Sequence, residues 1–353
     1  MSSPRQRNDN RNQGPLVSLC MSTYSRPDLF QEAFRGFLAQ TYEPLEIVIL
    51  ADGANPGVIS TLKECSDPRL RWFATARPSG MVPAWNRVVS EAAGKYFLFC
   101  ADDDVLLDHA VEHQIELLEA NPEVGFCHTD FAYIDDEGNE IRRWASLRGY
   151  FIDGRAKAWP EYVIRPRCCM QTALVRRDLW ERCGGWDEDA GYPGDNSLYL
   201  KLLRVSDVGH VPRLTCKYRV RTATPDSWEK RFRSLREHYA LSLKQVRDPL
   251  RNAAVSSRQL MRQLSTHLAV ASLPLMISSP NAEDRKTLRD WLRDHIWPHS
   301  LFGRFCEFFD AANLLYVLER AVGTFYDLRQ RIKRLLLIPV AACRDWSQKC
   351  ARS

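Results

Sequence analysis

Short apolar runs alternating with polar, turn-rich segments set the pattern of the first hundred residues. Leu16-Val17-Ser18-Leu19-Cys20-Met21 reads as a buried strand. Ser22-Thr23-Tyr24-Ser25-Arg26-Pro27-Asp28 breaks the run with helix-start chemistry: Ser25 as N-cap, Pro27 in the first turn and Asp28 three residues on. Leu29, Phe30, Ala33, Phe34, Phe37 and Leu38 then recur at helical spacing, one apolar stripe to pack on a sheet. Glu46-Ile47-Val48-Ile49-Leu50 is a second strand, ending in Ala51-Asp52-Gly53 where the chain must turn. A short strand at Leu70 to Phe73, a helix from Ala84 to Ala93 and a strand at Tyr96 to Phe99 follow. This alternation predicts a mainly parallel α/β sheet whose ligands gather beyond the carboxyl ends of its strands. Ser22 to Tyr24, Asp52 and Asp102 to Asp104 all fall at such ends.

The run Cys100-Ala101-Asp102-Asp103-Asp104 carries the most chemistry. Three carboxylates in a row at the end of a buried strand repel one another and call for a neutralising cation or a cluster of donors. Oxygen ligands without His or Cys beside them favour Mg²⁺ or Mn²⁺ over zinc, and such ions clamp the phosphates of nucleotide substrates. The alternative is a solvated acidic turn.

Composition leaves this picture standing. At 353 residues, 45% apolar and 26% charged, the chain has ordinary globular usage and length for one large core plus an appendage. The first fourteen residues are polar and basic, and the runs Leu268 to Ile277 and Leu335 to Cys343 are too short to span a bilayer, so a cytoplasmic protein is expected. The 11 cysteines, several in apolar runs, predict reduced core thiols; no CxxC pair points to zinc, and Cys168-Cys169 stands apart. From about Ala223 the pattern turns helical and basic, 22 Lys and Arg against 13 Asp and Glu, a net of +9 where the whole chain carries +5. Leu314, Leu318, Ala321, Phe325, Leu328, Ile332 and Leu335 form an apolar seam, with Arg329, Arg331, Lys333 and Arg334 at its basic end. Three fates fit that helix: packing on the protein's own core, a homodimer through the seam, or peripheral contact with an anionic inner membrane face. No aromatic-interleaved basic motif points to nucleic acid.

Residues 16 to about 222 resemble a family 2 glycosyltransferase of the GT-A fold. The resemblance rests on Val17-Ser-Leu-Cys-Met-Ser-Thr-Tyr-Ser-Arg-Pro, Leu38-Ala-Gln-Thr-Tyr, Ile47-Val-Ile-Leu-Ala-Asp-Gly, Ala84-Trp-Asn86, Gly94-Lys-Tyr-Phe-Leu-Phe-Cys-Ala-Asp-Asp-Asp, Gly184-Gly-Trp-Asp-Glu188 and Gly194-Asp195, in that order and spacing. It implies a Rossmann-like, mainly parallel mixed sheet over residues 15–222, to which composition adds a disordered polar tail at 1–14 and a helical basic region at 223–353. It also implies an inverting transfer of a sugar from a nucleotide donor, UDP or dTDP before GDP, to a glycan or lipid-linked acceptor. By resemblance Thr23, Tyr24, Asp52, Asn86 and Asp102 face the nucleotide, Asp103 and Asp104 the metal, Asp195 serves as general base, and Trp186 and Asp187 meet the acceptor. A fixed carboxylate at Asp52 can accept the imide N–H of uracil or thymine, and Tyr24 can stack on the base; a turn-former and a core ring are the plain alternatives. Acceptor choice is expected from the loops at Tyr150 to Met170 and at Tyr192.

Two departures matter. Many relatives read Asp-X-Asp-Asp, but Ala101 holds the first place here, so the metal pair is either Asp103 with Asp102 beside it, or Asp102 with Asp104. Gly194 stands where the family carries Glu before the catalytic Asp, and Asp195 would also serve as a helix cap. A nucleotide-sugar-binding protein without transfer, and a sugar nucleotidyltransferase, are the competing functions; the second normally carries a Gly-rich basic loop that Ser22 to Arg26 is not.

Overall fold

The computed structural model describes residues 14–299, apart from 147, 166, 192, 222–227 and 278–281. The seam at 314–335 and its basic end lie outside the described residues, as does Tyr192. The chain divides into two compact units, one of residues 1–226 with 236–260 and one of 227–235 with 261–353.

The first unit is built as the apolar runs predict. β1 (Val17–Thr23), β2 (Leu45–Asp52), β3 (Leu70–Thr75) and β4 (Tyr96–Phe99) pair in parallel in the order β3-β2-β1-β4, joined by α1 (Pro27–Leu38), α2 (Pro56–Glu64) and α3 (Met81–Ser90). Strands buried on both faces read as continuous apolar runs. In β1, Leu19 and Met21 join one core cluster while Cys20 joins the other, on the opposite face. Beyond β4 the sheet turns mixed. After β5 (Val105–Leu106) and α4 (Glu112–Ala120) come β6 (Val124–Ile134), β7 (Glu140–Trp144), β8 (Phe151–Asp153), α5 (Arg155–Ile164), β9 (Leu174–Arg176), α6 (Arg177–Arg182), α7 (Gly194–Leu202) and β10 (Asp207–Arg219). β9 lies antiparallel between β4 and β6, and β10 runs parallel to β6.

Two boundaries differ from the sequence expectation. α1 is capped at Arg26, not Ser25, and no side chain bonds to the cap; Pro27 opens the helix by its fixed φ, and the Arg26 side chain is committed elsewhere. α3 starts at Met81, three residues early, because Gly80 turns the chain at φ 102° and Pro83 falls in the first turn, where its missing N–H has no helical partner to lose. It ends at Ser90, and the chain turns through Gly94, where an added Cβ would meet the Ser18 hydroxyl at 2.5 Å.

Residues 236–260 belong to the first unit: within it Ser242 donates to the Val163 carbonyl (2.6 Å), and Leu241 and Leu260 enter the first core cluster. In the second unit the Trp228 indole donates to the Leu275 carbonyl (3.2 Å), and Phe232 meets the Trp291 ring at 5.8 Å. The helical stretches here are α8 (Trp228–Arg247), α9 (Ser257–Ile277) and α10 (Ala282–His295), the first two shared with the first unit. The run from Leu268 lies in α9, and no helix among the described residues is long and apolar enough to cross a membrane.

One buried cation fastens the polar end of the sheet. The Arg219 side chain, 2% exposed, donates to the carbonyls of Asp103, Asp135 and Asp136 and to the Glu32 carboxylate (2.6 Å). Removing it orphans acceptors in three separate segments. Arg219→Met is expected to cost about 3 kcal/mol or more, read as a lower melting temperature; an unchanged melting curve would show that these bonds are replaced by water.

Candidate functional site

Strand order reverses between β1 and β4: from β1 the chain steps outward to β2 and β3, then returns to the other side for β4. Such a switch point opens a crevice beyond the strand ends. Thr23 to Arg26, from the end of β1, and Cys100 to Asp104, after β4, line it from opposite sides. The guanidinium of Arg26 bridges them, one arm on the Asp102 carboxylate and the other on that of Asp103. Burial raises the Asp102 pKa, with the Asp103 charge adding to it, while Arg26 pulls it down. Burial works against the Arg26 charge, yet the two carboxylates outweigh it and hold its pKa above the ordinary value.

Asp104 is turned the other way. Its carboxylate accepts the Arg219 backbone N–H (2.7 Å) and the Gln171 side-chain amide, at 2% exposure. Burial and the neighbouring Asp103 push its pKa well up. The structure thus brings Asp102 and Asp103 together on one cation and does not bring Asp104 to it. Among the described residues no three His, Cys, Asp or Glu side chains are gathered to hold a metal; the carboxylates of Asp102 and Asp103 are the paired oxygen donors at the strand ends.

Asp52, at the end of β2, is 5% exposed and holds the following loop: Oδ1 accepts from the Thr75 hydroxyl (2.7 Å), the Ser79 hydroxyl (2.9 Å) and the Ser79 N–H (3.0 Å). Oδ2 shares only that same N–H, at 2.9 Å. Gly53 follows at φ 94°, and a Cβ there would meet the Tyr24 ring at 2.9 Å, so glycine lets the ring lie against the turn. Tyr24 itself is 55% exposed, so its ring is not part of the core.

Asp195 sits in the first turn of α7, its Oδ1 accepting the Asn196 N–H (2.7 Å). Burial pushes its pKa up to about 6. Asp195 and Asp103 both act on Tyr218 of β10, whose hydroxyl is raised first by burial and then by Asp104, Cys169, Asp195 and Asp103. The position of the missing Glu is filled by packing: a Cβ on Gly194 would meet Val82 at 3.0 Å and Trp85 at 3.4 Å.

Three expected site residues are engaged with the protein itself. Asn86 clips α3 to the Gly-Gly-Trp loop, its amide donating to the Trp186 carbonyl (3.0 Å) and accepting the Trp186 N–H (2.9 Å). Trp186 is 2% exposed among Trp85, Phe97, Phe99 and Trp180 at 5.8–6.3 Å, and its indole N–H finds no acceptor among the described residues. Asp187 pairs with Lys201 of α7 at 2.5 Å. Arg26, Gln171 and Arg219 are what sequence reasoning missed. Of these only Arg26 carried a signal, lying within the loop already singled out.

Residues 18–182 match the sequence model of the family described as Glycosyl transferase family 2. Similar curated proteins include an uncharacterized glycosyltransferase of Rickettsia felis, 25% identical over 59% of this chain and 33% of that protein. Another, from Haemophilus influenzae, is 30% identical over 58% of this chain and 66% of its own. The match spans between about a third and two thirds of such relatives. Among solved structures, S. aureus TarS 1-349 in complex with UDP-GlcNAc aligns over 87% of this chain and 91% of its own, with TM-score 0.64 at 13% identity. The mannosyltransferase PcManGT from Pyrobaculum calidifontis, in complex with GDP-Man and Mn²⁺, aligns over 89% and 88%, with TM-score 0.54 at 18% identity. The chain carries a family 2 glycosyltransferase domain, in the α/β fold that family takes.

Proposed function

We propose that this protein transfers a sugar from a nucleoside-diphosphate donor to a hydroxyl of a glycan or lipid-linked acceptor, with inversion at the anomeric carbon. The observation that carries this reading is the pair Asp102 and Asp103 converging on a single cation at the switch-point crevice. Tyr24 and Oδ2 of Asp52, the less engaged oxygen, suit a base plane and a uracil or thymine imide N–H, which favours UDP or dTDP over GDP. Thr23 lines the same loop. The paired carboxylates fit a hard divalent ion, Mn²⁺ or Mg²⁺, and the Mn²⁺ of the PcManGT complex supports that choice. Bound there, such an ion would neutralise the charge of the departing diphosphate.

The chain's own residues do the rest. Asp102 and Asp103 would hold the metal, a role expected from sequence for Asp103 and Asp104, because Asp104 is engaged by Gln171 and Arg219. Asp195 takes the acceptor proton: a carboxylate raised to about 6 is a stronger base than an ordinary Asp yet remains mostly ionised at neutral pH. Asn86, Trp186 and Asp187 act by positioning the loop that leads to α7. The eight described cysteines are all free, which supports a reducing, cytoplasmic setting.

The test is a screen of UDP-, dTDP- and GDP-sugars with and without Mn²⁺, following melting temperature and release of nucleoside diphosphate. One nucleotide class should stabilise the protein, by about 2.7 kcal/mol at a hundredfold excess over Kd, and should be turned over with acceptor present. Stabilisation without release under any acceptor would favour a binding protein, and no stabilisation by any of them would sink the reading.

A further inference from the structure

We infer that Arg26 is a built-in counter-cation that keeps divalent ions off the Asp102–Asp103 pair until the donor's diphosphate draws it away. This rests on the reading of that pair as the metal site and adds an order of binding to it.

Asp102 is 3% exposed, and a buried carboxylate beside a second one needs a neighbouring positive charge to stay ionised. The protein supplies one of its own: two guanidinium arms, one on Oδ1 of Asp102 and one on Oδ2 of Asp103, reaching across 76 and 77 residues of sequence. Each arm takes an oxygen that a metal would need. The like charge of Arg26 at the same spot would further oppose a divalent ion. Ion and guanidinium therefore compete for one place.

Arg26 is placed to yield. Its side chain is 36% exposed, in the loop between β1 and α1, and among the described residues it bonds to these two carboxylates. A diphosphate entering the crevice offers a planar guanidinium the bidentate oxygen partner it favours. Once Arg26 turns to the phosphate, both carboxylates are free to bind metal. Nucleotide and metal then strengthen each other's binding, by the same factor in each direction.

The experiment titrates the full chain with Mn²⁺ alone, reading free Mn²⁺ by electron paramagnetic resonance, and repeats the titration with UDP and with GDP. Arg26→Ala, and Arg26→Gln as a variant that keeps more of the side chain's packing, should bind Mn²⁺ alone at least about tenfold more tightly than wild type. Asp103→Asn in the Arg26→Ala background should remove that gain. Arg35→Ala, which deletes an exposed charge from α1, the helix that follows the Arg26 loop, should leave Mn²⁺ affinity within about twofold. Nucleotide should tighten Mn²⁺ binding more in wild type than in either Arg26 variant. Equal Mn²⁺ affinity in wild type and both Arg26 variants would overturn the inference while leaving the metal-site reading intact. An equal gain in Arg35→Ala would overturn it too, showing only a long-range charge effect. If no chain binds Mn²⁺ even with nucleotide, the inference and the metal-site reading fall together.

Discussion

Asp195→Asn is expected to lower sugar transfer by about two orders of magnitude or more while nucleotide-sugar binding survives. Asn keeps the size of the side chain and an oxygen that can accept the Asn196 N–H, so the first turn of α7 retains its contact. What it loses is the base. With the carboxyl raised to about 6 and the ionised form at work, transfer in the wild type should fall as pH drops through about 6 and level off above it. That acid limb should vanish from the residual activity of the variant. Stability runs the opposite way: the folded protein holds the Asp195 proton more tightly than the unfolded chain does. The contribution is therefore fully present below the ordinary value of 3.8 and lost as pH rises through about 6. An uncharged Asn escapes that loss, and at pH 7.5 the variant should melt no lower than wild type. Wild-type transfer rates in the variant would remove Asp195 from the chemistry; a lower melting temperature with loss of nucleotide binding would make it a structural cap.

The parts of this molecule that were legible in sequence are those fixed by local chemistry. β1, β2 and β4 lie within continuous apolar runs because both faces are covered, and the Asp-Gly and Asp-Asp-Asp turns mark their ends. The crevice follows from strand order, which alternation of strands and helices constrains to few choices. β8 and β9 are illegible for the opposite reason: three residues each, they are held by partners remote in sequence, Phe97 with Val175 and Gly209 with Ile152. The same holds for polar partners. Nothing near Asp104 announces that its carboxylate will meet Gln171, 67 residues away, and the Arg219 backbone, 115 away. A triplet of Asp therefore shows that carboxylates gather at a strand end, and only the tertiary fold separates the two that face the crevice from the one that faces the core. Gly194 teaches a related point, since the space beside it is taken by Val82 and Trp85.

That separation can be measured with two alanines one position apart. Asp103→Ala should fold normally and lose Mn²⁺-dependent stabilisation by nucleotide, because its partly exposed carboxylate is replaced by water without orphaning a buried donor. Asp104→Ala should do the reverse. Its removal leaves the Arg219 N–H and the Gln171 amide buried without acceptors, at about 1–3 kcal/mol each, and the cavity adds to that. The expected result is a lower melting temperature with Mn²⁺-dependent nucleotide binding retained in the molecules that fold. Asp104→Asn sharpens the comparison: one oxygen can still accept the Arg219 N–H, so most of the stability should return, whereas a metal ligand would not be restored by an amide. If Asp104→Asn folds as wild type but no longer gains from Mn²⁺, while Asp103→Ala still does, the metal pair is Asp102 with Asp104.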